Sequence, residues 1–190
     1  MLLALGLLSG ILGVVGIAPY IRDILLKKTK PERASWLIWM VLEGIAFFSQ
    51  LAKGATNSLW LPGVETVAVA IVFILSIKYG EGGFTSRDII ALITAFCGLI
   101  VWFFTKEASF ALFIVILIDA AGAYLTVIKA YKEPASETLI TWVLSVISAI
   151  LAAFAVGAFN FILLLYPIYL ALGNFAVVAA ILLGKRKTSK

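Results

Sequence analysis

Residues 108–130 read ASFALFIVILIDAAGAYLTVIKA, and this stretch decides the fold. Every position from Ala111 to Ile118 is apolar, as is every position of Val67–Leu75 earlier in the chain. A strand of a membrane barrel alternates polar and apolar side chains, whereas a helix in lipid is apolar on all sides. Because about 20 such residues cross a hydrocarbon core of roughly 30 Å, residues 108–130 predict a transmembrane helix.

Six further apolar stretches lie on either side of it, separated by charged residues or by Gly, Pro and Asn. Of the 190 residues 63% are hydrophobic and 13% are charged, whereas a soluble domain has about 45–50% apolar and about 25% charged residues. The chain is therefore expected to be an all-α integral membrane protein with seven transmembrane helices. The predicted spans are Leu2–Ile21, Ser35–Lys53, Ser58–Tyr79, Asp88–Thr105, Ala108–Ala130, Thr138–Gly157 and Phe161–Gly184.

The distribution of the 15 Lys and Arg residues predicts the orientation. With seven spans only Lys53 and Lys106 fall on one side, and by the positive-inside rule the other side is cytoplasmic. The N-terminus is then outside and the first span is a retained helix. We expect a multi-pass protein of the cell (inner) membrane, with the lipid bilayer as its surroundings. The net charge of +5 belongs to residues that flank spans, so nucleic acid is not an expected partner.

An internal repeat is also present. Residues 20–39, YIRDILLKKTKPERASWLIW, resemble residues 124–142, YLTVIKAYKEPASETLITW. The aligned pairs are Tyr20 with Tyr124, Pro31 with Pro134, Trp39 with Trp142 and, further on, Pro62 with Pro167. The offset predicts two parallel three-helix copies joined by a connector helix, a 3+1+3 order, with chance similarity of apolar helices as the alternative. The predicted units are 1–80, the connector 88–105, 108–184 and a basic cytoplasmic tail at 185–190.

The segment after the first span carries a family resemblance. Pro19 near the end of the span, Lys28 with Thr29 in the loop, and Ser35 at the start of the next span resemble the PQ-loop pattern. This pattern is shared by SWEET and SemiSWEET sugar transporters and by cystinosin-like and KDEL-receptor-like proteins. The resemblance implies seven helices in a 3+1+3 order. It also implies a sugar-binding Asn in the third and seventh helices, and Asn174 occupies that place in the seventh.

Three carboxylates lie deep in predicted spans: Glu43, Glu65 and Asp119. Each costs at least about 2.5 kcal/mol in a bilayer unless it is paired, hydrated or protonated. They are the predicted proton or cation site near the midplane. The alternative is a set of neutral carboxyls that only hydrogen-bond between helices.

The second span has a polar and aromatic face. Trp36, Trp39, Glu43, Phe47 and Gln50 are spaced by three or four residues, which places them along one side of a helix. This side is expected to face the bundle interior. Together with the repeat, it predicts a substrate-binding set that comprises Glu43, Asn174, Trp39, Trp142 and Gln50.

Three prolines fall within predicted spans. Pro19, Pro62 and Pro167 remove backbone hydrogen bonds and permit kinks, so they are the predicted hinges. The chain has no His and one Cys, Cys97, and shows no nucleophile and base pair. No catalytic group, metal site or cofactor is therefore expected, and an enzyme is the least favoured class.

The sequence thus predicts a transporter or facilitator of a small polar solute, which works by alternating access at a midplane site. Three acids without a basic group at similar depth favour a cationic or proton-linked substrate, and a sugar follows from the resemblance. The alternative is a non-transporting receptor or scaffold subunit of the same fold. The sequence leaves homo-oligomerisation open.

Overall fold

The computed structural model describes residues 1–52, 59–82 and 108–188, together with eight separate positions between 86 and 104. The helices within these ranges are α1 (Leu2–Leu25), α2 (Arg33–Ala52), α3 (Trp60–Tyr79), α4 (Ala108–Lys132), α5 (Leu139–Ala155) and α6 (Phe161–Thr188). A short 3-10 turn, Pro134–Ser136, precedes α5. The predicted connector span, Asp88–Thr105, lies outside the continuously described residues.

Four of the described helices are long and apolar enough to cross a membrane: α1, α3, α4 from Leu112, and α6 to Lys187. The helix α5 is also apolar, but with 17 residues it is shorter than these four. The described chain is therefore helical, apart from one isolated bridge between Glu32 and Glu81. The seven-span arrangement remains a prediction.

The outer faces of these helices carry large apolar side chains. More than half of each side chain is exposed at Val67, Leu117, Phe154 and Leu172. Soluble monomers rarely expose contiguous apolar patches of more than a few hundred Å². Lipid tails cover such faces at no cost, which agrees with a membrane protein.

The helices form a closed ring. Around it the order is α1, α3, α2, α4, α6, α5 and back to α1, and each helix packs mainly on its two neighbours. The order of the helices around the ring therefore differs from their order in the sequence. Its interior is the one place that side chains from all described helices can reach.

Small residues bring α1 close to its neighbours. Gly13 approaches Val64 of α3, and Gly16 approaches Leu144 of α5, so closely that an added Cβ would lie 3.3 and 3.1 Å from those side chains. Helices in lipid gain most of their association from such close packing. Serines add hydrogen bonds at the same contact with α5: Ser9 Oγ donates to the Ser148 carbonyl at 2.9 Å, and Ser148 Oγ donates to the Ser9 carbonyl at 2.7 Å.

One end of the bundle, which we call the basic end, holds residues 26–33, 80–82 and 133–138. Here the backbone of Glu81 donates to the Pro31 carbonyl and accepts from the Arg33 amide, both at 3.0 Å. The Arg33 guanidinium donates to the carbonyls of Ser76 and Gly82 at the end of α3. The loop after α1 is thus fastened to the end of α3.

Two helices end four residues beyond the sequence-based expectation. The first helix continues to Leu25, four residues beyond the predicted end at Ile21. Likewise α6 continues through Lys185, Arg186 and Lys187, so most of the predicted tail at 185–190 is helical. Basic residues are favourable there, because the last carbonyls of a helix carry partial negative charge.

The ring order predicts a specific cross-link between α1 and α5. The hydroxyl oxygens of Ser9 and Ser148 lie 3.4 Å apart, so sulfur atoms at these positions would need only a small side-chain rotation to reach the S–S bond length of about 2.05 Å. In a Cys97→Ala background, Ser9→Cys with Ser148→Cys should form a disulfide under mild oxidation, detected as a cross-linked peptide by mass spectrometry.

The control pairs Ser35→Cys with Ser148→Cys, because α2 and α5 are not neighbours in the ring. This pair should stay reduced under the same conditions. Cross-linking of both pairs to the same extent, or of neither, would contradict the ring order.

Candidate functional site

A cavity of about 80 Å³ lies inside the ring, with space for a few water molecules or the head of a small solute. All six described helices contribute to its wall. The lining residues are Ile17, Trp36, Trp39, Glu43, Leu61, Glu65, Val69, Asp119, Ala123, Thr141, Trp142, Ser145, Ala149, Tyr169, Leu170, Gly173, Asn174 and Val177.

The three predicted carboxylates meet at this cavity. Glu43 comes from α2, Glu65 from α3 and Asp119 from α4, and each lines the wall. The lining residues include neither Lys nor Arg. A wall of this kind is stable only when protons or a bound cation offset its negative charge.

Glu43 has one satisfied and one open oxygen. Its Oε1 accepts a hydrogen bond of 2.5 Å from the hydroxyl of Tyr166 on α6. Its Oε2 is buried and has no hydrogen-bond partner among the described residues, and the same holds for Thr141 Oγ1 and the hydroxyl of Tyr169. A buried polar atom without a partner costs about 1–3 kcal/mol. These three residues of the cavity wall therefore offer unused hydrogen-bonding groups.

Four aromatic rings close the cavity toward the basic end. The ring centroids of Tyr20 and Trp36 are 5.2 Å apart, and those of Trp36 and Trp39 are 5.1 Å apart. Trp142 closes the circle at 6.1 Å from Trp39 and 6.2 Å from Tyr20. Trp39 rests on Gly122 of α4, where an added Cβ would lie 3.2 Å from its indole nitrogen. The three Trp rings line the cavity, and Glu43 follows Trp39 by about one helical turn.

The structure places the other predicted binding residues as follows. Asn174 lines the cavity, and its side-chain nitrogen donates to the Leu170 carbonyl of its own helix at 2.8 Å. Its counterpart in α3, Val69, also lines the wall. Gln50 is half-buried in the last turn of α2 and is not among the lining residues. The cavity therefore brings together every predicted binding residue except Gln50.

The three predicted hinge prolines do not occupy equivalent places. Pro19 lies inside α1 and Pro167 inside α6. Pro62 is the third residue of α3, where a missing amide proton breaks no hydrogen bond within the helix. Pro62 therefore begins a helix and does not interrupt one.

A polar cluster at the basic end was not expected from the sequence. Lys129 Nζ lies 3.0 Å from Glu137 Oε1 and 3.3 Å from Glu81 Oε1, and it also donates to the Lys30 carbonyl. The indole nitrogen of Trp142 donates to Glu137 Oε2 at 2.9 Å. The contacts from Lys129 to Glu137 and from Glu137 to Trp142 thus link the basic end directly to one wall of the cavity. The only feature of the sequence that could have indicated this cluster is the position of Glu137 shortly before Trp142.

The negative charge of Glu137 is stabilised by its neighbours. Burial raises the pKa of this carboxyl above its ordinary value, while the charge of Lys129 and the hydrogen bonds from Lys129 and Trp142 lower it. Glu137 lies before the start of α5, outside the apolar helices. Lys129 is therefore the group that keeps a buried carboxylate tolerable at the basic end.

Removal of the Lys129 charge should destabilise the protein more at high pH than at low pH. Without this cation the pKa of Glu137 rises further above 4.5, so the folded state binds its proton more tightly than the unfolded state. The contribution of this group to stability then falls as pH rises through that interval. Loss of one partner of a buried ion pair costs about 3 kcal/mol, which corresponds to roughly 6–12 °C in Tm.

The measurement is the Tm of Lys129→Met in detergent at pH 5 and pH 8, relative to the wild type at each pH. The deficit should be larger at pH 8. The exposed Lys132, at the end of the same helix, gives the control Lys132→Met, which should match the wild type. An equal deficit at both pH values would contradict the assigned role of Glu137.

Comparisons with known proteins do not identify the chain. No protein-family model matches it, and no curated protein or solved structure shows significant similarity. The function is therefore argued from the cavity.

Proposed function

We propose that this protein is a membrane transporter or facilitator of a small polar solute and works by alternating access around the central cavity. The observation that carries the proposal is a single cavity that is walled by all six described helices and contains three carboxylates. Acidic side chains inside a bundle with apolar outer faces are costly, and by default they mark a site for a ligand or a proton.

The packing of the helices supports the 3+1+3 architecture with seven spans. If α1, α2 and α3 are exchanged with α4, α5 and α6, the list of neighbours in the ring stays the same. Two parallel three-helix copies around an axis along the membrane normal would have this property. In this arrangement the connector is the span Asp88–Thr105, the N-terminus is outside and the basic end is cytoplasmic, in the cell (inner) membrane.

A relation to the PQ-loop and SWEET-like proteins is part of the proposal. It is supported by the place of Asn174 on the cavity and by the place of Pro19 inside α1. Pro19 and Pro167 lie in different halves of the proposed repeat, and each removes a backbone hydrogen bond within its helix. Rocking of the halves would bend these two helices. Glu43, Glu65 and Asp119 would bind or exchange the coupled cation or proton.

Flux measurements test this proposal. Liposomes that contain the purified protein should take up one or more members of a panel of labelled sugars, amino acids and small cations. Glu43→Gln and Asp119→Asn should each reduce the flux by at least about tenfold, because a loss of about 1.4 kcal/mol of binding already has that effect.

The matched control is Glu133→Gln, the same chemical change at an exposed carboxylate beyond the end of α4. Its flux should equal that of the wild type. No flux of any solute, with folded protein and intact liposomes, would favour a receptor or scaffold subunit. An equal loss of flux in the control and in the cavity variants would contradict the proposed role of the cavity.

A further inference from the structure

The cavity combines carboxyl groups with aromatic faces. Its wall includes the carboxylates of Glu43, Glu65 and Asp119 and the indole rings of Trp39 and Trp142. The face of an indole ring attracts a cation, and methylated or alkylated ammonium groups are recognised by such faces. A carboxylate adds charge to the same recognition. The two features together suit a ligand that is both positively charged and partly hydrocarbon.

The hydrogen-bond inventory of the wall points the same way. The indole nitrogen of Trp142 donates to Glu137, the side-chain nitrogen of Asn174 donates to Leu170, and the hydroxyl of Tyr166 donates to Glu43. These donors are therefore already used within the protein. By contrast, Glu43 Oε2 and the hydroxyl oxygens of Thr141 and Tyr169, which can all accept a hydrogen bond and are buried in the wall, have no partner among the described residues. A ligand that supplies positive charge or N–H groups completes this site.

The geometry of the wall gives the ligand a direction. The aromatic cluster of Tyr20, Trp36, Trp39 and Trp142 lies toward the basic end, and Glu43 lies about one turn deeper along α2 than Trp39. Thr141, one residue before Trp142, adds to the same wall a hydroxyl that has no partner in the described part of the chain. A charged head at the carboxylates would leave the carbon part of the ligand against the indole faces.

We infer that the cavity binds a small organic ammonium ion, with its charged nitrogen at Glu43, Glu65 and Asp119 and its carbon atoms against Trp39 and Trp142. This inference rests on the proposed function for its site but concerns binding, so it can stand or fall apart from transport. It separates an amine from the two other classes that the cavity could accept, a neutral sugar and an inorganic cation.

Equilibrium binding to the purified protein in detergent tests the inference. The probes are ethanolamine, choline, and 3,3-dimethylbutan-1-ol, which has the shape of choline without the charge. We expect at least one of the two ammonium ions to bind at least about tenfold more tightly than the neutral alcohol, a difference of about 1.4 kcal/mol. Glucose, sodium and potassium, measured by competition, should bind more weakly than that ammonium ion.

Variants locate the bound ion. Glu43→Gln and Asp119→Asn should each weaken ammonium binding by at least about tenfold, and Trp39→Leu should weaken choline more than sodium. Glu65→Gln provides a further carboxylate variant if one of the first two does not fold. Glu133→Gln, at an exposed position, should bind as the wild type does.

The outcomes separate the two proposals. Ammonium binding that the cavity variants abolish, without flux of any solute, would retain this inference and overturn the transporter. Flux of a sugar without ammonium binding would do the reverse. Equal binding of choline and the neutral alcohol, tighter binding of sodium or potassium, or unchanged binding in the carboxylate variants would each overturn the inference.

Discussion

Lipid offers neither hydrogen bonds nor solvation for charge, and the rest of the structure depends on this constraint. It requires helices, because only a helix satisfies its own backbone within one segment. It also requires that Glu43, Glu65 and Asp119 turn away from the lipid, because each charge costs several kcal/mol there. A ring of helices with apolar outer faces and a central cavity meets both requirements. The cavity is thus the place where the polar groups of this chain are permitted.

The contacts between helices explain how the cavity keeps its shape. Glycines of α1 let α3 and α5 approach, and the paired Ser9 and Ser148 hold the contact with α5 in register. At the basic end, Lys129 forms an ion pair with Glu137, and Glu137 accepts a hydrogen bond from the indole of Trp142. An ion pair at the basic end therefore positions a ring that lines the cavity. A substitution that breaks the ion pair at the basic end would therefore change the position of the Trp142 ring at the cavity.

Local patterns in the sequence predicted most of the helices and part of the site. The starts of α4 and α6 and the end of α3 agree with the expected residues, because charge, Asn and Gly mark these ends in turn. The inward face of α2 followed from the spacing of Trp36, Trp39 and Glu43, and all three line the cavity.

Contacts between distant residues could not be predicted in the same way. The bond from Tyr166 to Glu43 joins residues that are 123 positions apart, and nothing local in the sequence marks it. The cluster around Lys129 was missed for a similar reason, because a Lys at the end of a span is explained by orientation alone. Gln50 shares the helical face of Glu43 but lies about two turns farther along α2, so a shared face did not place it at the cavity.

The central claim is that a water-filled acidic cavity lies inside the bundle, and cysteine accessibility tests it most directly. In a Cys97→Ala background, Asn174→Cys places a thiol at the cavity wall, and Phe175→Cys places one on the adjacent outer face. In liposomes, the thiol at 174 should react with an ethylammonium methanethiosulfonate and more slowly with the ethylsulfonate analogue, whereas the thiol at 175 should react with neither. A thiol at 174 that reacts with neither reagent in the folded protein would show a dry core and contradict the account.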